Sequence, residues 1–117
     1  MLTGGNGRKP DPIKRFDVWR VQLDAAAGAE IRKTRPCVVV SREVMNARLH
    51  TVIIAPLTRA GFPAPFRVAF RIAGEDGQIA LDQLRVVDKA RLKNRLGGLD
   101  RATVELVLAA LAEMFKE

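Results

Sequence analysis

The sequence feature that most constrains the fold is the stretch at residues 28–41, G-A-E-I-R-K-T-R-P-C-V-V-V-S. Residues 36–41 form a short β-branched apolar run, which favours a buried strand. The preceding residues are polar, so we expect them to form a loop at the rim of that strand. Arg35 stands at the joint, where Pro36 favours extended backbone. A guanidinium there is well placed to hold an anion, although a solvated surface loop is an equally good explanation.

The size and charge of the chain limit the class of protein. A chain of 117 residues is expected to form one domain, and 48% hydrophobic residues argue against global disorder. A net charge of +7 predicts attraction to polyanions, nucleic acid first among them. One cysteine excludes an internal disulfide framework, and Cys37 lies in the apolar run, where a core role is expected. We expect a cytoplasmic protein without a membrane span.

The pattern along the chain predicts a mainly β fold with one C-terminal helix. Residues 1–12 are rich in glycine and proline and are expected to form a flexible arm before a single domain at residues 13–117. Ser41 is expected to cap a helical turn at residues 42–46. Asp100 is expected to cap the C-terminal helix, which carries an apolar stripe ending at Phe115. Short antiparallel strands closed by one helix indicate a small bent sheet or barrel. Strands are predicted at residues 16–23, 36–41, 51–57, 66–72, 78–87 and 92–99.

Several kinds of catalytic site are missing from the sequence. No glycine-rich phosphate loop, paired cysteine ligands or nucleophile elbow is present, and the single histidine, His50, lacks ligand-spaced neighbours. Metal-dependent and covalent mechanisms are therefore disfavoured, and we expect no metal and no cofactor. The polar residues that remain lie before the second strand, after the third or inside the fifth: Glu30, Arg35, Thr58, Asp82 and Gln83. An acid inside a half-buried strand needs a partner, so a salt bridge from Asp82 to Arg67 or Arg85 is as plausible as a functional role.

Four motifs carry a resemblance to a known family. They are F-D-V-W-R-V-Q-L-D, the stretch at residues 28–41, A-P-L-T, and L-D-Q-L-R-V-V-D-K-A-R-L. In this order and spacing they resemble the MazF/PemK family of toxin endoribonucleases, over nearly the whole chain from Lys14 onward. The resemblance implies an SH3-like antiparallel β-barrel and a homodimer. It also implies neutralisation by a cognate antitoxin through an acidic, partly disordered segment.

The resemblance further implies a reaction and its residues. Family members are mRNA interferases that cut single-stranded RNA at a short sequence without metal, leaving a 2′,3′-cyclic phosphate and a 5′-hydroxyl. Arg35 and Thr58 correspond to the family's catalytic pair. Glu30 is the acid of a G-x-E motif and our candidate base. Asp82 and Gln83 correspond to a pair that contacts RNA.

Other residues extend this hypothesis. Arg32 and Lys33 are expected to position RNA phosphates, which adds affinity but little sequence information. Phe66 could stack on a base, although its alternation fits a core position almost equally well. Ala80 replaces an arginine that one branch of the family uses, so the base preference of that branch does not carry over.

Two other functions remain open at this point. A protein with the same barrel can bind gyrase and poison it, as the CcdB relatives do. It can also bind RNA without cleaving it. The match of Glu30, Arg35 and Thr58 to the nuclease set favours the nuclease.

Overall fold

The structure is a computed structural model that describes residues 12–23, 34–59, 61, 63–72 and 74–117. The predicted arm at residues 1–12 lies outside this part, except for Pro12. The helices are α1 (Glu43–Arg48) and α2 (Arg101–Phe115), and short 3-10 turns lie at Leu81–Gln83 and Lys89–Arg91. The strands are β1 (Asp17–Gln22), β2 (Thr34–Val39), β3 (Thr51–Arg59), β4 (Arg67–Ile72), β5 (Glu75–Ala80), β6 (Arg85–Asp88) and β7 (Leu92–Gly98).

The described strands form one curled antiparallel sheet in the order β4-β5-β3-β2-β1-β7, with β6 also pairing with β3. Strand β3 is the centre of this arrangement. Its first half pairs with β6 and its last residues pair with β5, while its middle pairs with β2. The prediction of a small bent β fold with a C-terminal helix is confirmed, as a half-barrel. No helix in the described residues is long and apolar enough to cross a bilayer.

The core consists of two apolar clusters. Alternate residues of β2 enter one cluster or the other. Val38 enters one cluster, where Val107 of α2 packs, whereas Cys37 and Val39 enter the other with Trp19. These side chains are almost fully buried. The apolar run therefore forms the buried strand predicted for it, with both faces covered.

The boundaries of β2 and β3 differ from the prediction. Strand β2 begins at Thr34, because residues 34–36 pair with β1, so Arg35 lies inside the strand rather than at its mouth. Strand β3 continues to Arg59, because its end pairs with β5, so Thr58 also lies inside a strand.

The predicted fifth strand at residues 78–87 is wrong as one element. The chain makes a 3-10 turn at Leu81–Gln83 and continues as β6, so it pairs with both halves of β3. The buried Leu81 donates its backbone N–H to the carbonyl of Phe66, and this contact holds the turn against the start of β4.

Of the two predicted helix caps, Asp100 is confirmed and Ser41 is wrong. Asp100 accepts a hydrogen bond from the Thr103 backbone N–H at 3.1 Å and caps α2, as expected. Ser41 does not cap α1: its hydroxyl donates to Asn46 at 2.5 Å and accepts from the Ile53 N–H. The stripe on α2 is buried at Val104 and Val107, but Phe115 at its end is 71% exposed.

Gly77 fixes how closely β5 approaches β3. A Cβ atom at this position would lie 2.7 Å from the backbone oxygen of Thr58, inside any normal contact distance. Only glycine therefore allows the ladder that pairs Arg59 with Gly77 and Thr58 with Gln78.

We expect Gly77→Ala to lower the free energy of unfolding by about 1–3 kcal/mol, because the added methyl forces the β3 and β5 backbones apart. Gly61→Ala is the matched control, since a Cβ there meets no atom within 4 Å. Urea denaturation of both variants checks this, and equal stabilities would contradict the close approach.

Candidate functional site

A cavity of about 650 Å³ collects residues from the ends of β2, β3, β4 and β5 and from the 3-10 turn that follows β5. This volume lies within the usual range of small-ligand sites. The predicted site residues Arg35, Thr58 and Gln83 all line it. Its other lining residues are Pro36, Leu57, Arg59, Ile72, Glu75, Asp76 and Gly77.

The register between β2 and β3 explains why Arg35 and Thr58 share this cavity. Cys37 pairs with Pro56 and Val38 with Ala55 in an antiparallel ladder. The ladder ends at the pair of Cys37 with Pro56, and its register, extended by two residues, would set position 35 opposite position 58. Side chains two residues apart on a strand point to the same face, so both belong to the face that carries Cys37 and Pro56. One chain therefore brings the two predicted catalytic residues together.

The hydroxyl of Thr58 is held at the wall of the cavity. Its Oγ1 lies 3.3 Å from the carbonyl oxygen of Arg59 and 3.4 Å from that of Gln78, and these are its hydrogen-bond acceptors. Both contacts are long for an O–H donor, so an incoming anionic oxygen can compete for the proton.

Two guanidinium groups at the cavity are available to a ligand. Arg35 and Arg59 are both exposed, and neither makes a side-chain hydrogen bond or ion pair with the part of the chain that the structure describes. Each offers five N–H donors in a planar fork, a geometry that suits phosphate oxygens. Arg59 was not identified from the sequence, because the predicted third strand ended before it.

Asp82 is engaged by an arginine rather than open to the cavity. Both of its carboxylate oxygens accept from Arg67, at 2.5 Å from Nε and 3.0 Å from Nη2. The hydrogen bond from Arg67 holds the pKa of the Asp82 carboxyl below its usual value, and Asp82 in turn raises the pKa of Arg67. The salt bridge considered as the alternative for Asp82 is therefore present, with Arg67 rather than Arg85.

Gln83, the neighbour of Asp82, lines the cavity itself. The 3-10 turn thus separates the predicted pair: one residue faces the candidate site, and the other anchors the turn to β4. Arg67 also lies 3.4 Å from the side-chain oxygen of Gln78, which ties the same arginine to β5.

Burial dominates the chemistry of Cys37. The thiol is inaccessible to solvent, and desolvation raises its pKa to about 12, against the opposing effects of Arg35 and Arg85. Cys37 is thus a core residue and not a nucleophile, as predicted.

Two further arginines hold the end of β1, where the described residues stop before position 24. Arg85 donates to the carbonyl of Leu23 at 3.2 Å, and Arg91 donates to that of Gln22 at 3.1 Å. Both arginines therefore bond to backbone carbonyls at the end of β1. The predicted residues Glu30, Arg32 and Lys33 lie outside the described residues.

Phe66 is not brought to the cavity with Arg35 and Thr58. Its side chain is half-buried and packs against the cluster that contains Val38, so the structure favours the core alternative. Its backbone adopts a positive φ of 63° immediately before β4 begins.

A larger cavity of about 780 Å³ lies elsewhere on the protein, near Trp19, Asn46 and Leu92. It is mostly apolar and none of the predicted site residues lines it. Because anion chemistry needs cationic and hydroxyl donors, the smaller cavity with Arg35 and Thr58 is the candidate site.

A curled antiparallel sheet backed by a C-terminal helix, with two exposed guanidiniums beside a hydroxyl, defines a small β protein with a site suited to anions. Residues 14–115 match the family model described as the PemK-like, MazF-like toxin of type II toxin–antitoxin systems. The chain therefore belongs to this family.

Individual relatives agree with this assignment. The chain is 31% identical over 111 residues to endoribonuclease PemK of Escherichia coli, covering 90% of this chain and 84% of the relative. It is 30% identical over 105 residues to endoribonuclease EndoA of Bacillus subtilis (strain 168), covering 85% and 90% of the two chains.

Solved structures share the fold. The MazE–MazF complex of Deinococcus radiodurans superposes with a TM-score of 0.75 at 20% identity, covering 90% of this chain and 96% of that one. A mycobacterial endoribonuclease in complex with its cognate antitoxin gives a TM-score of 0.70 at 25% identity, covering 89% and 93%.

The raised pKa of Cys37 predicts a loss of stability in alkali. Above the ordinary thiol pKa near 9.0, the unfolded chain releases the thiol proton while the folded chain keeps it up to about pH 12. The free energy of unfolding should therefore fall as pH rises, by up to about 1.4 kcal/mol per pH unit.

Denaturant titrations between pH 8 and 10.5 measure this effect, with Cys37→Val as the control that removes the thiol but keeps a core side chain. The wild type should lose more stability with pH than the variant. Parallel curves for the two proteins would show that the thiol does not keep its proton on folding.

Proposed function

We propose that the protein is a sequence-specific endoribonuclease that cleaves single-stranded RNA, with mRNA as substrate, and acts as the toxin of a type II toxin–antitoxin module. The observation that carries the proposal is the meeting of Arg35 and Thr58 in one cavity where Arg35 has no partner among the described residues. The names of the endoribonuclease relatives PemK and EndoA support the same activity.

The proposed reaction uses the RNA itself as nucleophile. The 2′-hydroxyl attacks the neighbouring phosphorus, its proton passes to a base, and the bond to the 5′-oxygen breaks as that oxygen gains a proton. The products are a 2′,3′-cyclic phosphate and a 5′-hydroxyl. This chemistry needs positioned donors for the developing negative charge and no covalent protein intermediate.

The donors that line the cavity and the candidate base have distinct proposed roles in this reaction. Arg35 and Arg59 bind the phosphoryl oxygens and stabilise the charge that grows on them. Thr58 donates its hydroxyl proton to the same oxygens, in place of its long bonds to backbone carbonyls. Arginine is a poor general base because its pKa exceeds about 12, so Glu30 remains the proposed base.

We propose that residues in the cavity and around it also bind the RNA on either side of the scissile phosphate. Gln83 contacts the RNA directly, while Asp82 acts through its ion pair with Arg67, which keeps its charge from repelling phosphate. Arg32 and Lys33 bind backbone phosphates. Stacking of a base on Phe66 is also proposed, at a position outside the cavity that Arg35 and Thr58 line.

The proposed reaction requires no metal and no cofactor. Among the described residues, no three His, Cys, Asp or Glu side chains converge into a group that could hold an ion. In-line attack by the 2′-hydroxyl can proceed with protein donors alone, provided that the guanidiniums neutralise the phosphorane.

The partners follow from the family and from charge. We propose a cytoplasmic homodimer, neutralised by a cognate antitoxin whose acidic, partly disordered segment competes with RNA. Two of the related structures are toxins bound to antitoxins, and the net charge of +7 suits an acidic partner.

Arg35→Ala and Thr58→Val should each reduce RNA cleavage about a hundredfold or more, because each removes a donor to the transition-state charge. Cleavage of a long single-stranded RNA in excess EDTA, followed by analysis of the product ends, measures this. The wild type should cut and leave cyclic phosphate ends. Arg48→Ala and Thr51→Val are matched controls at the end of α1 and the start of β3, and should keep wild-type rates.

The outcomes separate the candidate functions. RNA binding without cleavage by the wild type would support a binding module instead, and gyrase inhibition without any effect on RNA would support a CcdB-like poison. Full cleavage by Thr58→Val would remove the hydroxyl from the mechanism.

A further inference from the structure

Glu75 is a carboxylate at the cavity that the proposed reaction does not use. It is the first residue of β5, is exposed, and lines the same cavity as Arg35 and Thr58. The ladder that seats Gly77 against Thr58 also sets its position, because Glu75 lies two residues earlier on the same strand. The hairpin pairs it with Ile72, another residue of the cavity wall.

Glu75 differs from the other acids nearby in having no cation of its own among the described residues. Asp76 pairs with Arg71 at 2.8 Å, and Asp82 is held by Arg67. The Glu75 side chain makes no hydrogen bond or ion pair with any residue in the described ranges. A carboxylate only accepts hydrogen bonds, so its ligand must supply a donor.

The inference about Glu75 rests on the proposed function, in which the ligand is RNA. RNA offers few hydrogen-bond donors that suit this position. A phosphate would be repelled by the carboxylate, so the donor must be a ribose 2′-hydroxyl or a base. A 2′-hydroxyl is the same on every nucleotide, so only a base contact can select a sequence. Guanine presents an N1–H and an exocyclic amino group side by side, which match the two carboxylate oxygens. Cytosine and adenine offer one amino group each. The single N–H of uracil lies between two carbonyl oxygens, which repel a carboxylate.

We propose that Glu75 is a specificity-determining residue that selects guanine at one position next to the scissile phosphate. Gln83, which also lines the cavity, carries both a donor and an acceptor, so it fits every base and discriminates weakly. Glu75 is restricted to acceptors and therefore imposes the choice. Contacts to bases specify sequence, whereas Arg35 and Arg59, which contact phosphate, do not.

The test maps cleavage sites in a pool of single-stranded RNA with randomised sequence, for the wild type and for Glu75→Gln, Glu75→Ala and Glu75→Asp. Glu105→Gln is the matched control, because it removes the same charge from the exposed face of α2. Thermal melting of each variant checks folding. The wild type should prefer guanine at one position beside the cut.

At that position alone, Glu75→Gln and Glu75→Ala should lose about tenfold or more of the preference for guanine over uracil, the size expected for a bidentate contact to a base. Glu75→Asp should keep the guanine preference, and Glu105→Gln should match the wild type.

Three results would overturn the inference while leaving the nuclease proposal in place. They are a wild-type cleavage pattern without any guanine preference, an unchanged pattern in Glu75→Gln, or an equal loss of rate on every sequence. The last would mean that Glu75 takes part in the chemistry rather than in base selection. A wild type that cuts no RNA would instead overturn the proposed function itself.

Discussion

The antiparallel pairing of β2 with β3 is the interaction on which the candidate site depends. Val38 and Val39 pair with Ala55 and Ile54, and all four side chains are buried. A slip by one residue would turn each of them to the opposite face, so burial fixes the register strongly. The same register carries Arg35 and Thr58 to one cavity at the end of the ladder.

Electrostatics then determines what this cavity can bind. The carboxylates of Asp82 and Asp76 near it are matched by Arg67 and Arg71. Arg35 and Arg59 have no such partner among the described residues, so positive charge is left for a ligand. The two ion pairs are partly exposed and contribute little to stability. Their effect is to keep two acids from cancelling the field of the guanidiniums at the cavity.

The sequence predicted the features that depend on local patterns. Apolar runs and alternation located the strands except for the break between β5 and β6. Asp100 was identified as a helix cap because its side chain bonds only three residues away. The curled sheet followed from several short strands and one helix. Arg35 and Thr58 were singled out by motif, and the structure places them in one cavity.

Features that depend on contacts between residues far apart along the chain could not be predicted from the sequence. The break at Leu81–Gln83 arises because two strands share β3 and because Arg67 holds Asp82 from another strand. Ser41 has the right residue type for a cap, but Ile53, twelve positions away, uses its hydroxyl instead. Glu75 gave no sequence signal, because its proposed role depends on the cavity that β3, β4 and β5 form together.

In the proposed mechanism, one phosphodiester binds between the side chains of residues 35 and 58 of a single chain. The direct measurement is a crystal structure of the protein with single-stranded RNA that carries a 2′-O-methyl group at the cleavage position, which blocks attack. We predict that oxygens of the scissile phosphate lie within hydrogen-bond distance of both the Arg35 guanidinium and the Thr58 hydroxyl. A scissile phosphate bound away from this cavity, or contacting neither group, would contradict the mechanism.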